Sequence, residues 1–231
     1  MKEEKTKIVE LTPNRSWWSI EWKEVWERRY LCKLLIQKDM LANHKQSILG
    51  PVWFVIQPII TSILFAVFFG LFARLTPSGA PRFLFYLSAL VPWTFLSAVT
   101  MGVANCLTAN SAVLSKVYFP RLIAPIVATS VAFLHFLLSF SVFIGFYFLY
   151  YFQNDLKVPL SVLHLPFIIL LLANTGALGL GTGLLYASIG VRYRDFRFAL
   201  PIVLQTWMFS TPIIYPSSVV PEIWRPIFFL N

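Results

Sequence analysis

Residues 122–154 read LIAPIVATSVAFLHFLLSFSVFIGFYFLYYFQN and contain no Asp, Glu, Lys or Arg. A helix needs about 20 mostly apolar residues to cross a bilayer, and this stretch is longer than that. The strands of a transmembrane barrel would alternate apolar and polar residues over about 10 positions, and no such alternation occurs in 59–75 or 163–173. The sequence therefore predicts an all-α, polytopic membrane protein.

Further windows without charged residues flank this stretch, at 46–73, 83–115, 158–191 and 198–221. Together the windows predict five transmembrane helices, over roughly 52–73, 83–105, 122–151, 166–190 and 198–215. The segment after residue 215 is apolar but broken by Pro216, Pro221 and Pro226. Irregular backbone at membrane depth must be shielded from lipid, so we predict short helices there that re-enter the membrane from the outer side.

The composition excludes several classes of protein. Hydrophobic residues make up 58% and charged residues 13% of the chain, and the mean hydropathy is +0.70, whereas an ordinary soluble domain has about 25% charged residues. A soluble globular fold and a disordered chain are both excluded. The chain has no Walker A, HExxH, CxxC or GxSxG motif. We therefore predict that it is not an enzyme and holds no metal or cofactor.

The positive charges predict the orientation of the chain. Of the 19 Lys and Arg residues, 15 lie in segments 1–50, 116–121 and 192–197, and the outer segments hold the other four. Cytoplasmic loops carry the excess of Lys and Arg in membrane proteins, so the N-terminus is predicted to be cytoplasmic. The basic composition then reflects topology, and we predict no nucleic-acid partner.

An aromatic stripe precedes the first span. Trp18, Trp22, Trp26 and Tyr30 recur at helical spacing, with opposite charges paired on other faces. Such an amphipathic helix is typical of the membrane interface, where indole rings lie among the headgroups. The alternative is a helix docked on the apolar surface of a partner. We therefore divide the chain into residues 1–50, a cytoplasmic tail with an interface helix, and residues 51–231, a transmembrane domain.

Small residues predict where two helices pack closely. Gly176, Gly179, Gly181 and Gly183 lie within the fourth window, and small residues let transmembrane helices approach each other. No Lys-Ser or Lys-Thr follows them, so they do not form a phosphate-binding loop.

Aromatic residues next to polar ones suggest a path for carbohydrate, because sugars stack on rings and hydrogen-bond to polar neighbours. The competing interpretation is that these rings form interface belts or face lipid and neighbouring helices. The candidate path residues are Trp53, Gln57, Phe65, Trp93, Ser97, Gln205 and Trp207.

Three sequence patterns, taken in their order along the chain, resemble those of a known protein family. The first is KQSILGPVW at 45–53, followed by Gln57-Pro58. The second is KVYFPR at 116–121, and the third is Tyr193-Arg194-Asp195 followed by TPIIY at 211–215. Over about residues 35–231 the chain resembles the ABC-2-type polysaccharide export permeases, above all their O-antigen branch. Wall teichoic acid permeases are similar.

The resemblance implies a homodimer bound to two ATPase subunits, which would hold ATP and Mg. It implies export of a lipid-linked O-antigen polysaccharide across the bacterial inner membrane. The family has a sixth span, so we expect the transmembrane domain of this chain to lack the last helix. The segments expected to couple to the ATPase contain Lys116, Val117, Tyr118, Phe119, Pro120 and Arg121, and then Arg192, Tyr193, Arg194 and Asp195.

The inner segment also has chemistry suited to a partner, since Lys116 and Arg121 flank two rings and a proline. Rings fill grooves on partner proteins while cations meet carboxylates. Alternatives remain open: an exporter of teichoic acid, an exporter of small hydrophobic drugs or lipids, and an ion-coupled transporter or channel. The last alternative is disfavoured because no Asp, Glu, Lys or Arg lies within the five windows.

Overall fold

The computed structural model describes residues 22–44, 50–72, 81–109, 120, 122–153, 165–193, 195–211, 213–214 and 221–222. Within these ranges the chain is helical and contains no strand, which confirms the all-α prediction. A 3-10 turn, Gly50–Val52, leads into α3, which continues as a π-helical segment, Ala66–Phe72. The α-helices are α1 (Trp22–Glu27), α2 (Arg29–His44), α3 (Trp53–Phe65), α4 (Arg82–Ala109), α5 (Ile123–Phe152), α6 (Leu165–Arg192) and α7 (Asp195–Ser210).

Four of the five predicted spans are present as helices long and apolar enough to cross a membrane. They are Trp53–Gly70, which joins α3 to its π-helical extension, and the whole of α4, α5 and α6. The protein is therefore a polytopic helical membrane protein, as the charge-free windows predicted.

The fifth predicted span differs in length from the helix observed there. α7 has 16 residues, which at 1.5 Å per residue is about 24 Å, shorter than the hydrocarbon core of about 30 Å. The helix ends at Ser210, and a tight turn follows, in which the Ile213 N–H donates to the Thr211 carbonyl at 2.8 Å. The predicted re-entrant helices after residue 215 lie outside the described residues, apart from 221–222.

α4 forms the centre of the bundle and runs antiparallel to α5. Near the start of α4, the Phe83 and Phe146 ring centroids are 5.0 Å apart, and farther along, Phe95 and Phe136 are 4.9 Å apart. One face of α4 is buried along most of its length, because it packs against neighbours on both sides. The main core cluster contains Leu87, Val91, Phe95, Val99, Val103, Ala132 and Phe136.

α6 runs parallel to α4 and packs against it through glycines. A Cβ placed on Gly179 would lie 3.0 Å from Val99 Cβ, and one placed on Gly183 would lie 2.7 Å from Val103 Cβ. Gly181 faces away, with nothing within 4 Å of its Cβ position. The predicted close packing is confirmed, and it uses the glycines spaced four apart, since these share one face of a helix.

α2 lies across the start of α5. Leu35 is buried there with Ile123 and Val127, and burial raises the pKa of the neighbouring Cys32 thiol above its ordinary value. α4 is antiparallel to α5 and parallel to α6. The end of the bundle where α2 packs, which we call the α2 end, therefore also holds the end of α6 and the start of α7.

Candidate functional site

A cavity of about 400 Å³ lies between α3, α4 and α5, with α7 at one edge. Binding pockets for small ligands have volumes of about 300–1,000 Å³ and mostly apolar walls with a few polar groups. The cavity is therefore the candidate binding site in the described part of the chain. Its wall is formed by Phe54, Gln57, Pro58, Thr61, Leu90, Trp93, Thr94, Phe95, Ser97, Ala98, Ala132, His135, Phe136, Ser139 and Met208.

Stacked rings form much of this wall. His135 stacks on Phe54 with ring centroids 3.6 Å apart and the planes 13° from parallel. On the α4 side, the Phe95 and Phe136 rings are tilted by 43° to each other. These contacts hold the start of α3 against the middle of α5, and they leave ring faces and edges on the cavity surface.

The hydroxyl groups of the wall are mostly occupied. Thr61 donates to the Gln57 carbonyl and Thr94 donates to the Val91 carbonyl, both at 2.9 Å. In the described part of the chain, the Ser97 hydroxyl is buried with no hydrogen-bond partner. The other polar side chains of the wall are Gln57, Trp93 and His135, so hydrogen-bonding groups are a minority of the lining.

Ser139 uses its hydroxyl to join two helices. It donates to the Phe54 carbonyl of α3 at 2.9 Å, and its own helix supplies a second acceptor, the His135 carbonyl, at 3.3 Å. Since Ser139 is 6% exposed, this interhelical bond is protected from water and fixes α3 in register with α5.

Three of the predicted path residues come together in the cavity: Gln57, Trp93 and Ser97. Trp207 of α7 stands edge-on to Trp93, with ring centroids 6.0 Å apart and the planes at 86°. The sequence signal of rings beside polar residues thus named three residues that line this cavity, and the role of these residues in a glycan path stays a prediction.

The other three predicted path residues lie elsewhere. Phe65 packs edge-on against Phe69 and Tyr86. It belongs to the cluster around Leu90 that also includes Trp93, but it does not line the cavity. Trp53 is 51% exposed at the start of α3, and Gln205 is exposed on α7. The structure therefore does not bring the seven residues together into one described surface.

Sequence reasoning missed the contribution of α5 to the wall. Ala132, Phe136 and Ser139 lie on the same face as His135, at the spacing of three and four residues that places side chains together on a helix. That spacing was a usable signal, but the same helix carries many other Phe residues, so composition alone did not single out this face.

The predicted interface helix is only partly described. Trp18 lies outside the described residues, and so does the side chain of Trp22. Trp26 and Tyr30 are 70% and 75% exposed, whereas the neighbouring Val25 packs towards α5. Val25 and Trp26 therefore lie on different sides of α1, with the valine against the bundle and the Trp26 ring exposed beside the Arg29 guanidinium. The placement of the aromatic rings among lipid headgroups stays a prediction.

The predicted coupling segments are described only in part as well. Lys116, Val117, Tyr118, Phe119, Arg121 and Arg194 lie outside the described residues. Pro120 lies immediately before α5, and its carbonyl accepts a hydrogen bond from the Ile123 N–H at 3.0 Å. This bond helps to start α5 at the α2 end.

The second coupling segment forms the turn between α6 and α7. The Arg192 guanidinium lies 5.6 Å from the centroid of the Tyr193 ring, and Tyr193 is 6.3 Å from Phe196 between centroids. Tyr193 and Phe196 are 53% and 43% exposed, and Asp195 is exposed at the start of α7. The turn therefore presents two rings, a cation and a carboxylate at the α2 end.

Comparison with known proteins identifies relatives of this chain. A family model described as "ABC-2 type transporter" matches residues 30–231. The chain is 25% identical over 197 residues to an O-antigen export system permease protein RfbA of Klebsiella pneumoniae, covering 84% of this chain and 73% of the relative. An RfbA of Myxococcus xanthus is 26% identical over 200 residues, covering 87% of this chain and 74% of the relative.

Proposed function

Because the chain belongs to the ABC-2 type transporter family, we propose that it is the permease subunit that exports a lipid-linked O-antigen polysaccharide across the bacterial inner membrane. The observation that carries this proposal is the similarity, over more than four-fifths of the chain, to relatives named as O-antigen export permeases. In this proposal the membrane-spanning helices form the export path, and a separate protein supplies the energy.

A separate ATPase supplies the energy in this proposal. The chain has no Walker A motif, and nucleotide hydrolysis needs such a phosphate-binding loop or an equivalent. Two permease copies would therefore pair with two ATPase subunits, with the N-terminus and the α2 end on the cytoplasmic side. This arrangement agrees with the excess of Lys and Arg in the segments predicted to be cytoplasmic.

The α2 end is suited to receive the motion of such a partner. α2 is packed on the start of α5, and the turn between α6 and α7 exposes Tyr193 and Phe196 at the same end. Because α2 packs on the start of α5 and the turn directly continues α6, a push at this end would move these long helices as rigid bodies.

A second candidate function is the export of small hydrophobic drugs or lipids. The cavity favours it, because about 400 Å³ lined mostly by rings and aliphatic groups suits one compact apolar molecule. Such a function would change resistance to toxic compounds and leave the surface glycan unaltered. A teichoic acid exporter is the third candidate, since its substrate is also a lipid-linked polymer.

Genetic rescue tests the proposal. The chain is expressed together with its cognate ATPase, in cells that make O-antigen but lack their own exporter. We expect O-antigen to return to the cell surface, detected with an antibody on intact cells. Failure to rescue with both proteins present in the membrane would contradict the proposal. Rescue that survives ATP depletion and collapses with the proton gradient would contradict the need for an ATPase.

Coupling through the first inner segment gives a sharper prediction. Replacing both Tyr118 and Phe119 with Ala removes two rings from the segment between α4 and α5. Truncating an aromatic anchor at a protein contact often costs about 2 kcal/mol or more, and about 1.4 kcal/mol is tenfold in affinity. The stimulation of ATP turnover by the permease should therefore fall at least about tenfold. Turnover is measured on the purified complex in nanodiscs. Unchanged turnover in a correctly inserted double variant would argue against the coupling role.

A further inference from the structure

We propose that the cavity between α3, α4 and α5 binds a single hydrocarbon chain, supplied either by a bilayer lipid or by the lipid anchor of the exported substrate. The proposal concerns the binding of a hydrocarbon chain and goes beyond the export function. Only the lipid anchor of the exported substrate, as the source of that chain, rests on the proposed function.

The cavity lies at the depth of hydrocarbon. His135 is about 18 Å along α5 from Ile123, at 1.5 Å per residue, in a helix of 30 residues. From the opposite end, Trp93 is about 16 Å along α4 from Arg82. Lipid headgroups cannot reach that depth, whereas lipid chains fill it.

The cavity is also open towards its surroundings. Gln57 and Ala98 both line it and yet are exposed. An opening beside Ala98 lets a chain enter sideways from the bilayer, and Met208 of α7 lies at the edge of the same space.

The wall chemistry favours hydrocarbon over sugar. The wall hydroxyls of Thr61, Thr94 and Ser139 already donate to helix carbonyls. A sugar ring carries several hydroxyls, and each one left unpaired away from water costs about 1–3 kcal/mol. The other polar side chains of the wall, at Gln57, Trp93, Ser97 and His135, are scattered among rings and aliphatic groups. A chain has no such need and gains contact with the rings of Phe54, Trp93 and Phe136.

Water is a poor occupant for the same reason. An ordered buried water needs about two to four polar partners, and apolar atoms dominate this wall. An open apolar space inside a bilayer is therefore filled by the solvent around it, which is hydrocarbon.

The test uses two photoreactive probes and the full chain in nanodiscs. One probe is a phosphatidylethanolamine with a diazirine in an acyl chain, and the other is a polyprenyl phosphate with a diazirine in its chain. After irradiation, mass spectrometry locates the labelled residues. We expect label on wall residues of 90–98 and 132–139 from at least one probe, and the probe that labels more strongly at equal mole fraction identifies the source.

Plugging the cavity supplies the decisive comparison. Ala98→Trp fills the opening with an indole and should lower wall labelling about tenfold, the loss expected when about two buried methylenes are displaced. Ala98→Met is a smaller plug with a smaller expected effect, and it serves if the Trp variant fails to fold. Ala173→Trp is the matched control, because Ala173 is exposed on α6 and does not line the cavity.

The Ser97→Ala variant distinguishes a bound hydrocarbon chain from a bound sugar. Removing this hydroxyl should leave chain labelling in place, whereas a ligand held through the hydroxyl would be lost. The proposal is overturned if neither probe labels the wall, if Ala98→Trp and Ala98→Met label like Ala173→Trp, or if Ser97→Ala abolishes labelling. If the chain failed to restore O-antigen export in the rescue experiment, the labelling results would still stand. The two proposals can therefore fail independently.

Discussion

Replacing Gly183 with Ala should separate α4 from α6 and destabilise the bundle by about 1–3 kcal/mol, the usual cost of overpacking a tight core. The added Cβ would lie 2.7 Å from Val103 Cβ and 3.0 Å from the Thr100 carbonyl oxygen. Real Cβ atoms do not approach other atoms so closely. Since a backbone oxygen is one of the two neighbours, a side-chain rotation alone cannot relieve the contact.

Gly181→Ala is the matched control. It makes the same chemical change two residues away, where nothing lies within 4 Å of the new atom. Alanine favours a helix over glycine by about 0.5–1 kcal/mol, so this variant should be neutral or slightly stabilised. The measurement is the midpoint of thermal unfolding in detergent, followed by tryptophan fluorescence. Equal midpoints for the two variants would contradict the close packing of α4 against α6.

A second substitution tests the cause of the destabilisation. Val103→Gly removes both side-chain carbons that meet the new Cβ, so the Gly183→Ala/Val103→Gly double variant should be more stable than the sum of the single effects predicts. Residues in direct contact show such coupling, typically about 0.5–3 kcal/mol. The rescue should be incomplete, because the Thr100 carbonyl remains in place.

The sequence could predict the spans and the glycine contact because both follow from strong local signals. A charge inside a bilayer is costly, so the windows without charge mark where spans can lie, and four of the five windows hold helices long enough to cross. Glycines spaced four apart share a helix face, so Gly179 and Gly183 had to meet a neighbour. Which neighbour they meet, α4, is a property of the assembled bundle and was not readable from the chain.

The candidate site was predictable only in part. Trp93, Gln57 and Ser97 stood out because each combines with a neighbouring ring or polar residue, and the structure places them in one cavity. His135 and Ser139 lie opposite, on a helix whose many Phe residues conceal the face that matters. Rotation of a transmembrane helix is set by its packing partners, and local sequence does not record those partners.

The structure also separated features that look alike in sequence. Val25 and Trp26 are adjacent and both apolar, yet Val25 packs towards α5 and Trp26 is 70% exposed. Similarly, α7 was predicted as a span because 198–221 carries no charge, but the helix ends at Ser210. Absence of charge fixes where the chain can lie and does not fix where a helix stops.

The second large effect is expected at the turn between α6 and α7. Tyr193 and Phe196 are large, exposed rings at the α2 end, and exposed rings there are available to enter a groove on an ATPase partner. Replacing both with Ala should lower permease-stimulated ATP turnover about tenfold, because aromatic anchors dominate the affinity of protein contacts. Folding should change little, since both rings are only partly buried.

The control for this variant exploits the opposite end of the same bundle. Phe148 and Phe152 are 50% and 78% exposed at the end of α5, with ring centroids 6.4 Å apart, so Phe148→Ala/Phe152→Ala also removes two exposed neighbouring rings. ATP turnover is measured for both double variants in nanodiscs with the same ATPase. If the ATPase binds at the α2 end, only the Tyr193/Phe196 variant loses stimulation, because the other rings are a full helix length away. Equal losses would show that turnover depends on the general stability of the bundle, and an effect confined to the Phe148/Phe152 variant would reverse the proposed orientation of the chain.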